Sequence, residues 1–598
     1  MAAKVNDFVL HVATANGSGS QSSNNVLVKS LFRMGVPVTG KNLFPSNIQG
    51  LPTWFTIRAN PNGFTARRTD CDIVIAMNPA SAVQDVQSVI PGGYLILNDA
   101  IKLTDDQLRT DITIIPVPFK KLIDEVTKEA KLKKLLVNMI YVGVMARLLE
   151  IDQSVIDGVV SDMFKSKKAV VDSNLSAIAV GFKWAEENLD PKAFPFRAQS
   201  IANGNKGKIL VDGNTATGLG WLFGGCTFVG WYPITPSSSV VETFQKYAGK
   251  LRKDEKGQNR VAIVQAEDEL SSICMVTGAG WAGARAATAT SGPGMSLMAE
   301  TVGLSYFAEI PAVIWNVQRG GPSTGLPTRT QQSDVLSAAT LSHGDTQHVV
   351  LFPKDPTECF EFGELSFNLA ERLQTTIFVL TDLDIGMNLW ATDEFVYSDK
   401  PYDRGKVLTA ADLEKLGDFA RYKDVDGDRI PYRTLPGTDH PKAAYFTRGT
   451  GHDEKAGYSE SPLVYRKLLD RLKEKYATAK NHVPAPILDG KGAKHGILAY
   501  GSTDFAIPEV RHLLAAKGLE TDYIRVRALP FTKEVKEFFD NHDKVFVVEQ
   551  NRDAQLATLL KNEYPQYHEK LVSILQYDGM PITPTYITNE IASKENLV

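Results

Sequence analysis

Apolar positions along this chain fall in short runs separated by longer amphipathic stretches, the alternation of buried strand and covering helix that builds open α/β sheets. Near the start, Phe8-Val9-Leu10-His11-Val12-Ala13 reads as a buried strand, and Gly17-Ser18-Gly19-Ser20-Gln21-Ser22 as the turn before a helix. Further strands are predicted over 72–77, 94–97 and 112–115, with helical patterns from Phe119 to about Leu149 and from Ser173 to Leu189. A second block predicts strands at 261–265, 286–290, 312–317 and 377–380, with helices from Glu269 to about Ala282 and from Met295 to Phe307. A third predicts strands at 496–501, 523–526 and 545–549 and helices at 505–516, 532–540 and 552–562. The expected fold class is α/β, with three doubly wound domains.

Punctuation by proline and glycine separates the blocks. The expected organisation is an α/β domain over 1–190, a linker over 191–215, a second domain over 216–395, an irregular connection over 396–483 and a third domain over 484–598. Leu463 to Tyr476 inside the connection reads as a basic amphipathic helix. Asp424-x-Asp426-Gly427-Asp428 hints at a calcium loop, but its glycine stands fourth where such a loop needs it sixth, so a tight acidic turn is expected. His452, between a glycine and two acids, reads as a residue of a solvated loop.

Composition narrows the class. With 598 residues, 43% apolar and 22% charged, the chain has an ordinary globular composition. Its length suggests roughly four domains of about 150 residues. A net charge of −4 gives no reason to expect nucleic acid or an anionic membrane as partner. No apolar run approaches the ~20 residues of a membrane-spanning helix, and the first residues lack a signal-peptide pattern, so the cytoplasm is expected. Cys71, Cys226, Cys274 and Cys359 lie far apart, outside the usual iron–sulfur and zinc spacings. Any redox cluster is therefore expected on another chain. Gly17-x-Gly19-x-x-Ser22 is a weak dinucleotide fingerprint, with no acidic residue ending a clear second strand downstream.

The chain is organised around Trp231-Tyr232-Pro233-Ile234-Thr235-Pro236-Ser237-Ser238-Ser239. Each proline biases the residue before it away from the helical region, so a stiff turn presenting the Thr235 hydroxyl is expected. Ser239-Val240-Val241-Glu242 then reads as a capping box. Gln318-Arg319-Gly320-Gly321-Pro322-Ser323-Thr324-Gly325-Leu326-Pro327-Thr328 follows a predicted strand, with an arginine able to grip a carboxylate and glycines that permit close approach. Gln265-Ala266-Glu267-Asp268-Glu269 places Glu267 at a strand end, while Asp268 and Glu269 suit the cap and first turn of the next helix. Ser291-Gly292-Pro293-Gly294 is expected at the mouth of the same sheet.

YPITPSS and QRGGPSTGLPT together resemble the α subunits of 2-oxoacid:ferredoxin oxidoreductases, and residues 1–190 resemble that family's γ subunit, here fused in front. The resemblance implies that residues 216–395 hold the aminopyrimidine of thiamine diphosphate and that the last block is of the transketolase C-terminal type. It implies Glu267 as the catalytic carboxyl facing the pyrimidine, with Ile234 and Thr235 beside it. Thr235, Arg319 and Thr328 become the substrate contacts. The family's Gly-Asp-Gly segment for Mg²⁺ is missing, since only Asp426-Gly427-Asp428 occurs, in a loop. A partner beta subunit is thus implied to supply the diphosphate and Mg²⁺ site and a 4Fe-4S cluster, in an (αβ)₂ hetero-oligomer. The implied reaction is oxidative decarboxylation of a 2-oxoacid, with coenzyme A taking the acyl group and ferredoxin the electrons. The fused γ-like block resembles the 2-oxoglutarate enzymes and implies succinyl-CoA as product, with pyruvate or other 2-oxoacids as the alternative, and Arg448, His452 or a partner lysine could meet the second carboxylate. A non-redox thiamine enzyme subunit and a scaffold or flavin-type carrier are the rival readings.

Overall fold

Strands covered on both faces are buried along their whole length and mainly apolar, and the central strands obey this. Cys71–Ala76, Ala312–Gln318 and Thr376–Asp382 are buried at every position. The computed structural model of the chain describes residues 3–45, 50–165 and 167–597. They form two compact units, one of residues 1–211 with 388–394 and 583–586, the other of the remainder.

The first unit carries a six-stranded sheet in the order Val38–Leu43, Pro52–Ala59, Phe8–Ala15, Cys71–Ala76, Val89–Asn98, Thr113–Val117. From Phe8–Ala15 onward neighbours are parallel, as expected, whereas the first three strands pair antiparallel. The edge strand at 38–43 and its neighbour at 52–59 were not legible, the edge one because Val-Thr-Gly-Lys-Asn-Leu has no apolar run. The helical pattern expected from Phe119 to Leu149 breaks at Thr127 into Phe119–Val126 and Ala130–Leu148. The latter packs on Lys168–Asn188 at backbone contact. A Cβ on Gly143 would lie 2.0 Å from the Ile178 carbonyl oxygen, and one on Gly181 would lie 2.1 Å from that of Ile140.

The second unit holds two sheets. The larger has the order Ala262–Gln265, Phe228–Trp231, Ala286–Thr290, Ala312–Gln318, Thr376–Asp382, Val349–Leu351, Ala528–Leu529. Its first six strands are parallel, and the antiparallel last one comes from the C-terminal block. The smaller has the order Ile487–Asp489, Thr521–Arg525, His495–Ala499, Lys544–Glu549, Leu571–Leu575, parallel except at its first edge. One hydrophobic core joins them, with Ile314, Phe352 and Phe378 from one side and Leu498, Ile524 and Val547 from the other.

The connection over 396–483 is tied down by buried charge rather than by sheet. Glu309 is fully buried and meets Arg471 and Lys475 from helix Pro462–Thr478. Glu371 faces Arg285 at 2.7 Å, Arg404 at 3.1 Å and Arg433 at 3.5 Å. The acidic turn is closed by its own side chains, with Asp424 accepting from the Gly427 backbone (2.8 Å) and from Arg429 Nη1 (2.9 Å). His452 departs from expectation. It is 1% exposed, its ring 4.1 Å from that of Tyr422 and 5.3 Å from that of Phe307, because these two aromatic residues cover a loop whose own sequence is polar.

Candidate active site

Open α/β sheets bind ligands outside the carboxyl ends of their strands, and four strand exits of the larger sheet meet there. Strand Phe228–Trp231 pairs with Ala262–Gln265, Trp231 opposite Gln265, so the YPITP turn and the QAEDE segment leave side by side. Ala266 N–H donates to the Trp231 carbonyl at 2.8 Å and locks the two exits together. On the other side of Phe228–Trp231 come Ala286–Thr290, leading to Ser291-Gly292-Pro293-Gly294, and Ala312–Gln318, leading to Arg319.

The turn itself is built on one acceptor. The Ile234 carbonyl takes the backbone N–H groups of Ser237 (2.9 Å) and Ser238 (3.2 Å) and their hydroxyls at 3.0 and 3.3 Å. The capping-box expectation fails here. Helix Ser238–Leu251 starts two residues earlier, with Ser237 at its cap position, and Ser239 Oγ accepts from Asn214 Nδ2 (2.9 Å) instead. Asn214 also donates to the Pro236 carbonyl at 2.7 Å. The Ile234 carbonyl thus takes the first helix N–H group in place of a side-chain cap, while Asn214 of helix Gly213–Phe223 braces the turn from outside, and no local pattern announces it.

Arg319 is buried. Its Nη1 donates to the Thr235 carbonyl at 2.7 Å and its Nη2 to the Thr324 carbonyl at 3.2 Å, while Nε is buried without a partner. The structure therefore joins Arg319 directly to Thr235. Two of the five guanidinium N–H groups are engaged and three are left. Burial lowers the Arg319 pKa, opposed by the charges of Asp334 and Glu269. Thr328 is also buried, with its hydroxyl accepting from Arg329 Nη1 at 3.2 Å rather than meeting Arg319.

The three-acid segment divides unexpectedly. Asp268 caps helix Glu269–Trp281, accepting from the Ser271 backbone at 2.7 Å, as expected. Glu267 stands exposed beyond the strand end. Glu269, expected only to charge the first turn, is 6% exposed and packs under the glycine turn, where a Cβ on Gly294 would lie 2.7 Å from Glu269 Cγ and 2.1 Å from Thr290 Oγ1. Beside it the Ser291 hydroxyl is buried without a partner.

A cleft of about 820 Å³ opens along this edge, walled by Arg319, Thr324, Asp334 and the 292–297 turn, and by Asn551 and Arg552 of the C-terminal block. Gln332 anchors that second wall. Its Oε1 accepts from the Thr503 hydroxyl (3.1 Å), its backbone N–H donates to the Gln550 carbonyl (2.8 Å), and its carbonyl accepts from Asn551 Nδ2 (3.0 Å). Burial pushes the neighbouring Asp382 carboxyl up to about 6, with Asp384 adding to the effect. His452 lies elsewhere, in a pocket with Tyr422 and Arg471, and Arg448 donates to the Ala456 carbonyl at 3.0 Å. Neither lines this cleft. Asp334 and Gln332 went unassigned because each sits in a short polar run without periodic pattern.

One buried carboxyl, an unpartnered hydroxyl and a glycine wall suit the aminopyrimidine half of thiamine diphosphate. Among the described residues, no group of three or more His, Cys, Asp or Glu side chains could hold a metal ion.

Comparison with known proteins agrees. Residues 220–400 match the family model described as pyruvate flavodoxin/ferredoxin oxidoreductase, thiamine diP-bdg, and residues 9–184 match pyruvate ferredoxin/flavodoxin oxidoreductase. The chain is 29% identical to 2-oxoacid:ferredoxin oxidoreductase 2, subunit alpha, of Aeropyrum pernix, over 96% of both chains. It is 34% identical to 2-oxoglutarate synthase subunit KorA of Methanothermobacter marburgensis, over 57% of this chain and 88% of that one. It matches a structure of the 2-oxoglutarate:ferredoxin oxidoreductase from Magnetococcus marinus with 2-oxoglutarate, coenzyme A and succinyl-CoA bound, at TM-score 0.86 and 28% identity, over 99% of this chain and 100% of that chain. Fold and site thus define an oxidoreductase subunit with a thiamine diphosphate-binding domain. The chain belongs to the 2-oxoacid:ferredoxin oxidoreductase family, as an alpha subunit with a γ-like domain fused at its N-terminal side.

Proposed function

We propose that this chain is the alpha subunit of an enzyme that oxidatively decarboxylates 2-oxoglutarate with coenzyme A, giving succinyl-CoA, CO₂ and reduced ferredoxin. The observation that carries the reading is Arg319, clamped on the Thr235 carbonyl, at the strand edge where the segment bearing Glu267 leaves beside the YPITP turn. When bound, thiamine diphosphate supplies the nucleophile that releases CO₂ from the oxoacid. Glu267, leaving the sheet beside the YPITP turn, would face the pyrimidine ring nitrogen and hold or return a proton there, its side chain open to the side that a partner subunit would cover. The remaining N–H groups of Arg319 would bind the substrate carboxylate, with the hydroxyls of Thr235 and Thr328 as further donors. A partner beta subunit would bring the diphosphate and Mg²⁺ site and a 4Fe-4S cluster, in an (αβ)₂ assembly. The naming of relatives as alpha subunits supports a multi-subunit complex.

Two relatives named for 2-oxoglutarate support that substrate. Initial rates of the purified complex with 2-oxoglutarate and pyruvate, with ferredoxin as acceptor, test it. A higher kcat/KM for 2-oxoglutarate is expected, and a higher value for pyruvate would overturn the substrate. Iron analysis of the same complex separates this reading from a non-redox thiamine enzyme, which would carry none. Arg319→Lys should raise KM for the oxoacid about tenfold or more, because one ammonium cannot span both the Thr235 and Thr324 carbonyls and still grip a carboxylate. An unchanged KM would place the clamp elsewhere.

A further inference from the structure

Asp334 has no task in the reading above, yet it is built into the clamp from three sides. Its Oδ2 accepts from Asn316 Nδ2 at 2.9 Å, and its backbone N–H donates to Gln318 Oε1 at 3.0 Å. Side chain and main chain are thus both fastened to the strand that ends at Arg319. Gln318 is itself held, its Nε2 donating to the Thr381 carbonyl of the neighbouring strand at 3.1 Å. From the other side the glycine turn closes directly on the carboxylate. A Cβ on Gly292 would meet Asp334 Oδ2 at 2.9 Å and Oδ1 at 3.0 Å, so no larger residue fits there unless the turn moves away.

The electrostatics point the same way. The two hydrogen bonds of the Arg319 side chain go to neutral carbonyls, and its Nε is buried without a partner. A guanidinium in such a place is costly unless opposite charge lies near. Asp334 supplies that charge first and Glu269 second. Burial pushes the Asp334 carboxyl up to about 6, against which the Asn316 hydrogen bond and the Arg319 charge act. Asp334 lines the cleft together with Arg319 and Gly292.

We propose that Asp334 is the positioning residue of the clamp, fixing Arg319 and the Ser291–Gly294 turn against each other so that the free N–H groups of Nη1 and Nη2 face the cleft. It acts through Arg319 and sets substrate affinity, leaving the chemical step alone. This rests on Arg319 being the carboxylate clamp and deepens that reading.

The test is a double-mutant cycle in the assembled complex. Asp334→Asn keeps an acceptor for Asn316 and removes the charge. Asp334→Ala removes both. Binding of the unreactive 2-hydroxyglutarate is followed by calorimetry, and KM and kcat for 2-oxoglutarate by initial rates. Asp334→Asn should weaken binding and raise KM about tenfold with kcat unchanged, and Asp334→Ala should do at least as much. In an Arg319→Gln background the same Asp334→Asn change should alter neither quantity, since its effect passes through the missing guanidinium. Equal losses in both backgrounds, a fall in kcat alone, or no change in wild-type background would each overturn the proposal. Affinity that ignores Arg319→Gln would sink the clamp reading itself. Affinity sensitive to Arg319 but not to Asp334 would sink only the positioning role.

Discussion

Glu267→Gln in the assembled complex is expected to lower kcat by about 10²–10⁴-fold, the usual cost of losing one acid–base group. Glu267 stands exposed two residues past the strand Ala262–Gln265, so an amide of the same shape leaves the fold and cofactor retention intact. What the amide cannot do is hold and return a proton. The paired variant makes the test sharp. Glu269 is buried under the glycine turn, where a Cβ added to Gly294 would come within 2.7 Å of Glu269 Cγ, and Glu269→Gln, which keeps that shape, should leave kcat near the wild-type value. Steady-state rates of the two variants decide the matter, with thiamine diphosphate binding followed by tryptophan quenching as the control. An active Glu267→Gln beside an inactive Glu269→Gln would move the catalytic carboxyl to Glu269.

The second large effect concerns stability. Glu309→Gln should destabilise the chain by about 3–5 kcal/mol, the cost of breaking a buried ion pair by removing one partner. Glu309 is fully buried, accepts two nitrogens of Arg471 and meets Lys475 Nζ at 2.8 Å, so its loss strands two cations in a protein interior. Replacing all three residues by well-packed apolar ones would cost far less. The pH dependence follows from the carboxyl. Against the upward push of burial, Arg471 and Lys475 hold Glu309 well below its ordinary value of 4.5. A depressed carboxyl contributes stability above its unfolded-state value and loses it as pH falls towards the folded-state one. The difference in urea midpoint between wild type and Glu309→Gln should therefore be full above pH 4.5 and shrink below it. A difference that stays constant into acid would refute the pairing as its source.

Much of the architecture follows from local pattern. The apolar runs at 286–290 and 312–317 become central strands because both faces of each are covered, and their exits carry the SGPG turn and Arg319 as expected. Asp268 caps its helix because an Asp side chain reaches the N–H of the third residue on whatever the surroundings. The Pro-bracketed Ile234-Thr235 turn and the loop after Arg319 were likewise legible, since proline and glycine restrict or free the backbone locally.

What local pattern could not decide was which polar group would be buried. Nothing in Gln-Ala-Glu-Asp-Glu distinguishes Glu267 from Glu269. The difference arises only when the turn at 291–294 folds over one and not the other. His452 sits in polar sequence but is covered by Tyr422 and Phe307 from distant segments. Ser239 was expected to cap a helix, and an asparagine from another helix took its hydroxyl. Strand Phe228–Trp231 is a four-residue Phe-Val-Gly-Trp run whose place beside Ala262–Gln265 is set by pairing, not by periodicity. Sequence alone therefore determined most of the elements, their order and the exits that carry the chemistry, because backbone restriction and apolar periodicity act over a few residues. Tertiary structure alone decided which carboxyl of the three-acid segment is buried, the partners of Arg319 and the second wall of the cleft, because desolvation depends on atoms tens to hundreds of residues away.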